Sequence, residues 1–403
     1  MENRTYNERV RFKEILSILK KHKIFHGINP EKVRLILEDL GPTYIKLGQI
    51  MSMRTDIIPL SFRKELEKLR TEVPPMNKDD LADIIYETYG KNIEEMFDNF
   101  SYSPLGSASI AQAHLAYLKG TDTPVILKIQ RKGIYRRMEQ DIALMKRAAK
   151  MVKIVKKDAV VDFDTIIDEL WRTAQEEMDF HKEAENAIMF RNNFANTAYV
   201  SSPKIYEELT GSKILVMEFI DGFFINELDE METLGYDRKE IAFKLADNYI
   251  TQVIDDGFFH ADPHPGNIKI MDGKIVWLDL GMMGRLNPRD KQLLSDLVIS
   301  VAKRDAGKIK DIALILGQSH KEIDHTRLYS DIDIFLNKYG SMDLGNMSLA
   351  GIVSELFDVL NEHHIIIPSN MSMLGRGLMT IEGLLAFLHP EINIIEIVTN
   401  HIK

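Results

Sequence analysis

Apolar residues recur at helical spacing from Arg4 to about Phe100, interrupted at Gly41-Pro42, Pro59 and Pro74-Pro75. This stretch is expected to be mostly helical, with the double proline between two helices. The period changes near Ser103. Ala113–Tyr117 and Val125–Gln130 are strand-type runs on either side of a polar turn with Gly120 and Asp122, which predicts a hairpin. Residues Tyr135–Lys157 return to helical spacing. Ile166, Ile167, Leu170, Trp171, Ala174 and Met178 then carry an apolar stripe along one long helix from Phe163 to about Phe194. Strands are expected again at Lys213–Phe219, Ile268–Met271 and Lys274–Leu278, the last two joined at Asp272-Gly273, with Tyr236–Asp256 a helix between them. Asn287-Pro288-Arg289-Asp290 combines an N-cap, a first-turn proline and an early acid, which is the chemistry of a helix start. Everything after it reads as helical. The fold class is α+β, a small mixed unit embedded between helical regions.

Composition narrows the setting. A chain of 403 residues allows two to three domains at about 150 residues each. A net charge of −10 argues against nonspecific nucleic-acid binding, so no nucleic-acid partner is expected. The absence of cysteine excludes disulfides, thiolate metal sites and thiol catalysis, and fits an intracellular protein. The charged start, Met1 to Lys23, has no apolar h-region, and no run of about eighteen apolar residues stands out, so neither a secretory leader nor a membrane span is expected. A cytoplasmic protein is the starting expectation.

The chemistry concentrates in HADPHPGN, His260 to Asn267, followed by DLG at Asp279 to Gly281. An acid, an amide five residues later and a second acid after a hairpin is how a kinase-type site handles nucleotide and metal. Asp262 would orient or deprotonate the acceptor, while Asn267 and Asp279 would ligate Mg2+ with hard oxygens. Two other readings compete: a polar loop, and a metallohydrolase centre of His260, Asp262 and His264. Upstream, Lys128 lies in the apolar run VILKIQ, where an unpaired ammonium is costly to bury. It either emerges at an edge or meets phosphates and a carboxylate, and Glu183 is the first choice of carboxylate. Before that strand, Gly106, Ser107, Ala108 and Ser109 form a small-residue turn that lets a backbone approach phosphates. Later, ILVMEFIDG would bring the backbone of Glu218–Ile220 to adenine.

KLGQ (Lys46–Gln49), the small-residue loop, VILK, Glu177 with Asp179, HADPHPGN and DLG occur in one order, and together they resemble the UbiB/AarF-type atypical kinase family. The resemblance implies a protein-kinase-like bilobal fold. Its parts would be a helical N-terminal extension (1–100), an N-lobe with a helical insert (101–222), and a C-lobe with C-terminal helices (223–403). It implies ATP or ADP with Mg2+ as ligands, Lys128, Glu183 and Asp262 as catalytic residues, and a regulatory lid. In that lid Lys46 and Gln49 reach the site, and Glu177 and Asp179 meet the lysine. Asp179 and Glu183, four apart on one helix, can point at one site. Lys46, facing a polar site, is expected to add little to stability.

The chain also departs from ordinary kinases. Gly106 falls where the family's loop is alanine-rich. Lys128 and Glu183 are 55 residues apart, and only Met282 to Asn287 separate DLG from the next helix start, too little for a peptide-binding activation segment. The function expected is therefore an ATPase or phosphotransferase with a small-molecule or lipid acceptor, linked by resemblance to isoprenoid-quinone or prenyl-lipid metabolism. The alternative is a nucleotide-binding pseudokinase scaffold; a protein kinase ranks below both. Residues 128–157 hold eleven Lys or Arg against Glu139 and Asp141. This is either a solvated basic face or a peripheral contact with anionic membrane lipids.

Overall fold

The computed structural model describes residues 2–24, 27–52, 58–69, 73–155, 163–319, 321–340 and 348–402. The chain divides into two compact units: Met1–Glu185 with Lys204–Phe219, and Asn186–Pro203 with Ile220–Lys403.

The first unit opens with helices α1 (Glu2–Lys21), α2 (Pro30–Leu40), α3 (Pro42–Ser52), α4 (Leu60–Leu66), α5 (Lys78–Tyr89) and α6 (Ile93–Met96). The prolines act as expected. Pro42 stands in the first turn of α3, Pro59 directly precedes α4, and the Pro74-Pro75 segment separates α4 from α5. Strands β1 (Phe97–Asp98), β2 (Gly106–Ser107), β3 (Ala111–Leu118) and β4 (Pro124–Gln130) follow, then α7 (Ile134–Val155), α8 (Phe163–Glu177) and α9 (Phe180–Asn193), whose first residues belong to this unit. After β5 (Val200–Ser201) of the second unit, β6 (Ile214–Glu218) completes an antiparallel sheet in the order β1-β3-β4-β6, with β2 beside β3. The expected hairpin is β3–β4, in the register Ala113 opposite Lys128.

Residues alternate faces along a strand. Val125, Leu127 and Ile129 therefore share one face of β4 and pack in a core with Leu81, Ile84 and Ile85 of α5, Phe97, Ile214 and Val216. Each such side chain fully buried stabilises by about 1.5–3 kcal/mol. Lys128 falls on the opposite face with Ile126 and Gln130. A one-residue slip would put the lysine into that core, so burial sets the register.

The second unit adds β7 (Phe223–Phe224), α10 (Leu228–Thr233), α11 (Arg238–Thr251), β8 (Phe258–His260), β9 (Ile268–Met271), β10 (Lys274–Trp277) and β11 (Met283–Arg285). A four-stranded sheet runs β5-β10-β9-β7, and β8 pairs with β11. The β9–β10 turn is Asp272-Gly273, both left-handed at φ 51° and 72°, as a tight hairpin requires. Asn287 caps α12 (Pro288–Lys303) by accepting from Asp290 N, as its sequence implies. Helices α13 (Ala306–Leu316), α14 (His325–Gly340), α15 (Leu349–Glu362), α16 (Ser369–Leu388) and α17 (Ile394–Ile402) follow.

Three expectations are corrected. The long helix from Phe163 is two helices: α8 ends at Glu177, and Asp179 starts the next by accepting from His181 N at 3.1 Å. A short aspartate side chain bonding its neighbouring backbone favours such a break. The C-terminal region is not wholly helical, because Gln318–Ser319 pairs with Ile365–Ile366. Finally, α16 is long and apolar enough to cross a membrane by length and composition, although half of that window is buried inside the protein.

Candidate functional site

In the first unit, Lys128 Nζ donates to both carboxylate oxygens of Glu183 at 2.8 Å and stands 5.6 Å from the centre of the Phe180 ring. The lysine side chain is 19 % exposed and the glutamate 6 %. Two further bonds hold the α8–α9 junction to the sheet: Gln130 Nε2 donates to Met178 O at 2.8 Å, and Phe180 N donates to Ser212 O. The helix break matters here, because Glu183 lies in the first turn of α9 and so reaches β4, whereas Glu177 ends α8.

Glu177 pairs instead with Lys46 of α3, whose side chain is 14 % exposed against 8 % for the acid. Its Oε2 takes the ammonium, and Oε1 is buried without a hydrogen bond. Asp179 joins neither lysine among the described contacts; its Oδ1 is spent on the His181 amide. Gly48, in the middle of KLGQ, is closely packed: a Cβ there would stand 2.4 Å from Leu69 Cδ1 and 2.8 Å from Leu37 Cδ1, so a side chain would have to displace both leucine methyls. Gln49 lies one residue further along α3, half-buried, and its carbonyl accepts from Ser52 Oγ.

The small-residue loop is pinned. Ser107 Oγ donates to Val73 O at 2.6 Å and accepts from Gln112 Nε2 and Arg131 Nη2. Arg131 Nε also donates to Ala108 O at 2.8 Å, and Ser109 is buried. The Ser107 hydroxyl is thus committed to the loop. Gly106 has open space where a Cβ would go, so its own backbone does not demand glycine. At the end of β6, Glu218 N donates to Lys204 O at 2.9 Å, which takes its amide from the expected adenine contact. The Ile220 carbonyl, in the second unit, accepts from Lys269 Nζ at 3.0 Å.

In the second unit the HADPHPGN loop is built around His260. Burial holds this imidazole's pKa below its ordinary value, and its two ring contacts are those of a neutral imidazole. Its Nε2–H donates to Asp279 O at 2.6 Å and its Nδ1 accepts from Asp262 N at 3.1 Å. Tyr249 Oη donates to the His260 carbonyl, and Gln252 Oε1 accepts from its amide. With both ring nitrogens used, His260 has none for a metal, which removes the metallohydrolase reading. His264 Nδ1 accepts from Gly266 N and shapes the turn. Asn267 Nδ2 donates to Asp262 O at 3.2 Å, leaving its Oδ1 as an acceptor for a cation. Asp279 Oδ1 accepts from Gly281 N at 3.0 Å, and Asn186 holds the Leu280 carbonyl. An amide oxygen and a carboxylate are donors of the kind Mg2+ takes.

Two residues escaped the sequence reading. Arg131, three positions after Lys128, organises the loop before it; its place in a basic run hid it. Arg376, on α16, places Nη2 at 3.6 Å from Asp262 Oδ1, and nothing local in the sequence marks it.

The fold is that of an atypical, kinase-like protein. Residues 68–313 match the ABC1 atypical kinase-like domain and residues 332–393 the UbiB helical domain. The chain belongs to this ABC1/UbiB family. It is 36 % identical over 375 residues to an uncharacterized protein from the hydrogenase 1 5' region of Clostridium pasteurianum, covering 93 % of this chain and 71 % of that one. It is 31 % identical over 380 residues to a probable protein kinase UbiB of Shewanella woodyi, covering 91 % and 68 %. A Mycobacterium tuberculosis protein solved in complex with erythromycin shares the fold at TM-score 0.58 and 20 % identity, over 90 % and 92 % of the two chains.

Proposed function

We propose that the chain binds Mg-ATP and acts as a phosphotransferase or ATPase on a small-molecule or lipid-borne acceptor. The observation that carries the reading is the Lys128–Glu183 pair. An ammonium on an apolar strand, gripped by both oxygens of a buried helix carboxylate, is not a surface lysine interrupting a sheet. In kinase-type sites that pair aims the lysine at nucleotide phosphates. Asn267 and Asp279 would hold Mg2+, which supplies charge neutralisation at the phosphates. Asp262 would receive the proton of the acceptor hydroxyl, or orient a water. Glu177 and Lys46 form the second pair, assigned to regulation.

What comes after DLG supports the small-molecule or lipid-borne acceptor. Met283–Arg285 pairs with Phe258–His260, and α12 starts at Pro288, so no extended segment is available to bind a peptide. The UbiB name of the Shewanella relative supports a role in isoprenoid-quinone or prenyl-lipid metabolism.

Steady-state phosphate release with Mg-ATP tests the proposal. The wild type should turn over, Asp262→Asn should lose at least tenfold in kcat while still binding nucleotide, and Asp279→Asn should lose magnesium-dependent affinity by calorimetry. Tight binding with no turnover in the wild type would make the chain a pseudokinase. Equal affinity in Asp279→Asn would remove the metal assignment.

A further inference from the structure

Helix α16 meets the HADPHPGN loop within the second unit. A Cβ on Gly377 would fall 2.0 Å from Tyr249 Oη and 3.2 Å from the His260 carbonyl, so the helix backbone lies directly on the residues that orient the loop. Gly375, two residues earlier, faces α15, where a Cβ would stand 2.9 Å from Phe357 Cε2. At these two glycines α16 packs closely on both sides, against the loop and against α15. The residue between them is Arg376. It is one of two charged residues in a helix otherwise made of apolar and small polar residues, and its side chain is 18 % exposed. A guanidinium so placed needs a compensating anion. Its Nη2 lies 3.6 Å from Asp262 Oδ1.

We propose that Arg376 is a positioning residue: from the helical domain it holds the Asp262 carboxylate in the orientation in which that group handles the acceptor. Contact with one oxygen limits rotation of the carboxylate while Oδ2 makes no hydrogen bond among the described residues. The two glycines make this a built contact rather than a chance approach of a long side chain, since the helix cannot retreat without leaving Tyr249 and His260. The helical domain therefore completes the catalytic loop instead of only supporting it.

This inference rests on the assignment of Asp262 to the acceptor, and the experiment separates the two. Arg376→Ala and Arg376→Lys are compared with wild type and Asp262→Asn in Mg-ATP turnover, Mg-ATP calorimetry, and hydrogen exchange of the amides from His260 to Asn267. Arg376→Ala should lower kcat at least tenfold with KM and Kd for Mg-ATP within twofold of wild type. Exchange in the loop should rise at least threefold, and Arg376→Lys should recover most of both effects. Unchanged kcat with unchanged exchange would overturn the proposal. So would an equal loss in Arg376→Lys accompanied by lost nucleotide affinity, which would mean a packing role alone. If the wild type shows no turnover, the assignment of Asp262 fails by itself, and loop exchange alone decides whether Arg376 positions the loop.

Discussion

Lys46 and Lys128 face the same difficulty, an ammonium with little access to water, and each is met by a carboxylate from a different helix. The sequence left three acids open for Lys128. The turn at Asp179 separated them, sending Glu177 to Lys46 and Glu183 to Lys128. The geometry also changes what Lys46→Ala should do. Its partner is 8 % exposed and already has one oxygen without a hydrogen bond, so removing the lysine strands a buried carboxylate. Breaking a buried pair costs several kcal/mol, less where water reaches it. Lys46→Ala should therefore destabilise by about 1–3 kcal/mol in denaturant unfolding, in contrast to the small effect that a lysine facing a polar site implies. The double variant with Glu177→Gln should recover most of that loss. Nucleotide titration on the same proteins then tests the lid: affinity unchanged from wild type in both variants would reduce KLGQ to packing.

Among the elements, those with strong local chemistry were legible. The β3–β4 hairpin, the Asp272-Gly273 turn and the Asn287 cap each rest on residues whose own backbone preference agrees with the final structure. Helices whose ends depend on neighbours were not. The glycines show the contrast most directly. Gly377 and Gly106 look alike in sequence, yet one is pressed against Tyr249 and the other borders open space. Overpacking at a close contact costs about 1–3 kcal/mol, so Gly377→Ala should lower stability by that amount and disturb the loop beside it. Gly106→Ala should stay within about 0.5 kcal/mol of wild type. Denaturant midpoints of the two variants decide the comparison. If both are silent, the α16 contact is looser than the structure places it.

For the whole molecule, a net charge of −10 coexists with a strongly basic stretch after Lys128. Much of that charge is engaged. Lys128 serves Glu183, Arg131 pins the loop, Lys132 meets Asp80 and Asp83, and Lys146 meets Asp168. Asp141, one of the two acids in the run, is buried in a bidentate pair with Arg11 of α1 at 2.8 and 3.0 Å, so it does not offset the exposed side. Lys156 and Lys157 lie outside the described residues. Arg136, Arg137 and Lys150 remain exposed. Each basic residue near an anionic surface contributes about 1 kcal/mol. Salt-sensitive sedimentation with phosphatidylserine vesicles is therefore expected, and Arg136→Glu with Lys150→Glu should reduce it. Sedimentation unaffected by these changes, or absent at low salt, would return the helix to an ordinary solvated face.

By itself the sequence determined the family, the strand that carries Lys128, the loop from His260 to Asn267, and the turn that delivers Asp279. Each depends on residues close together in the chain, whose spacing and backbone chemistry are local properties. Tertiary structure decided which carboxylate each lysine meets, that His260 is an internal brace rather than a ligand, and that an arginine more than a hundred residues after Asp262 reaches it. Those outcomes turn on which groups are buried together, and burial is set by packing between distant segments that no local pattern encodes.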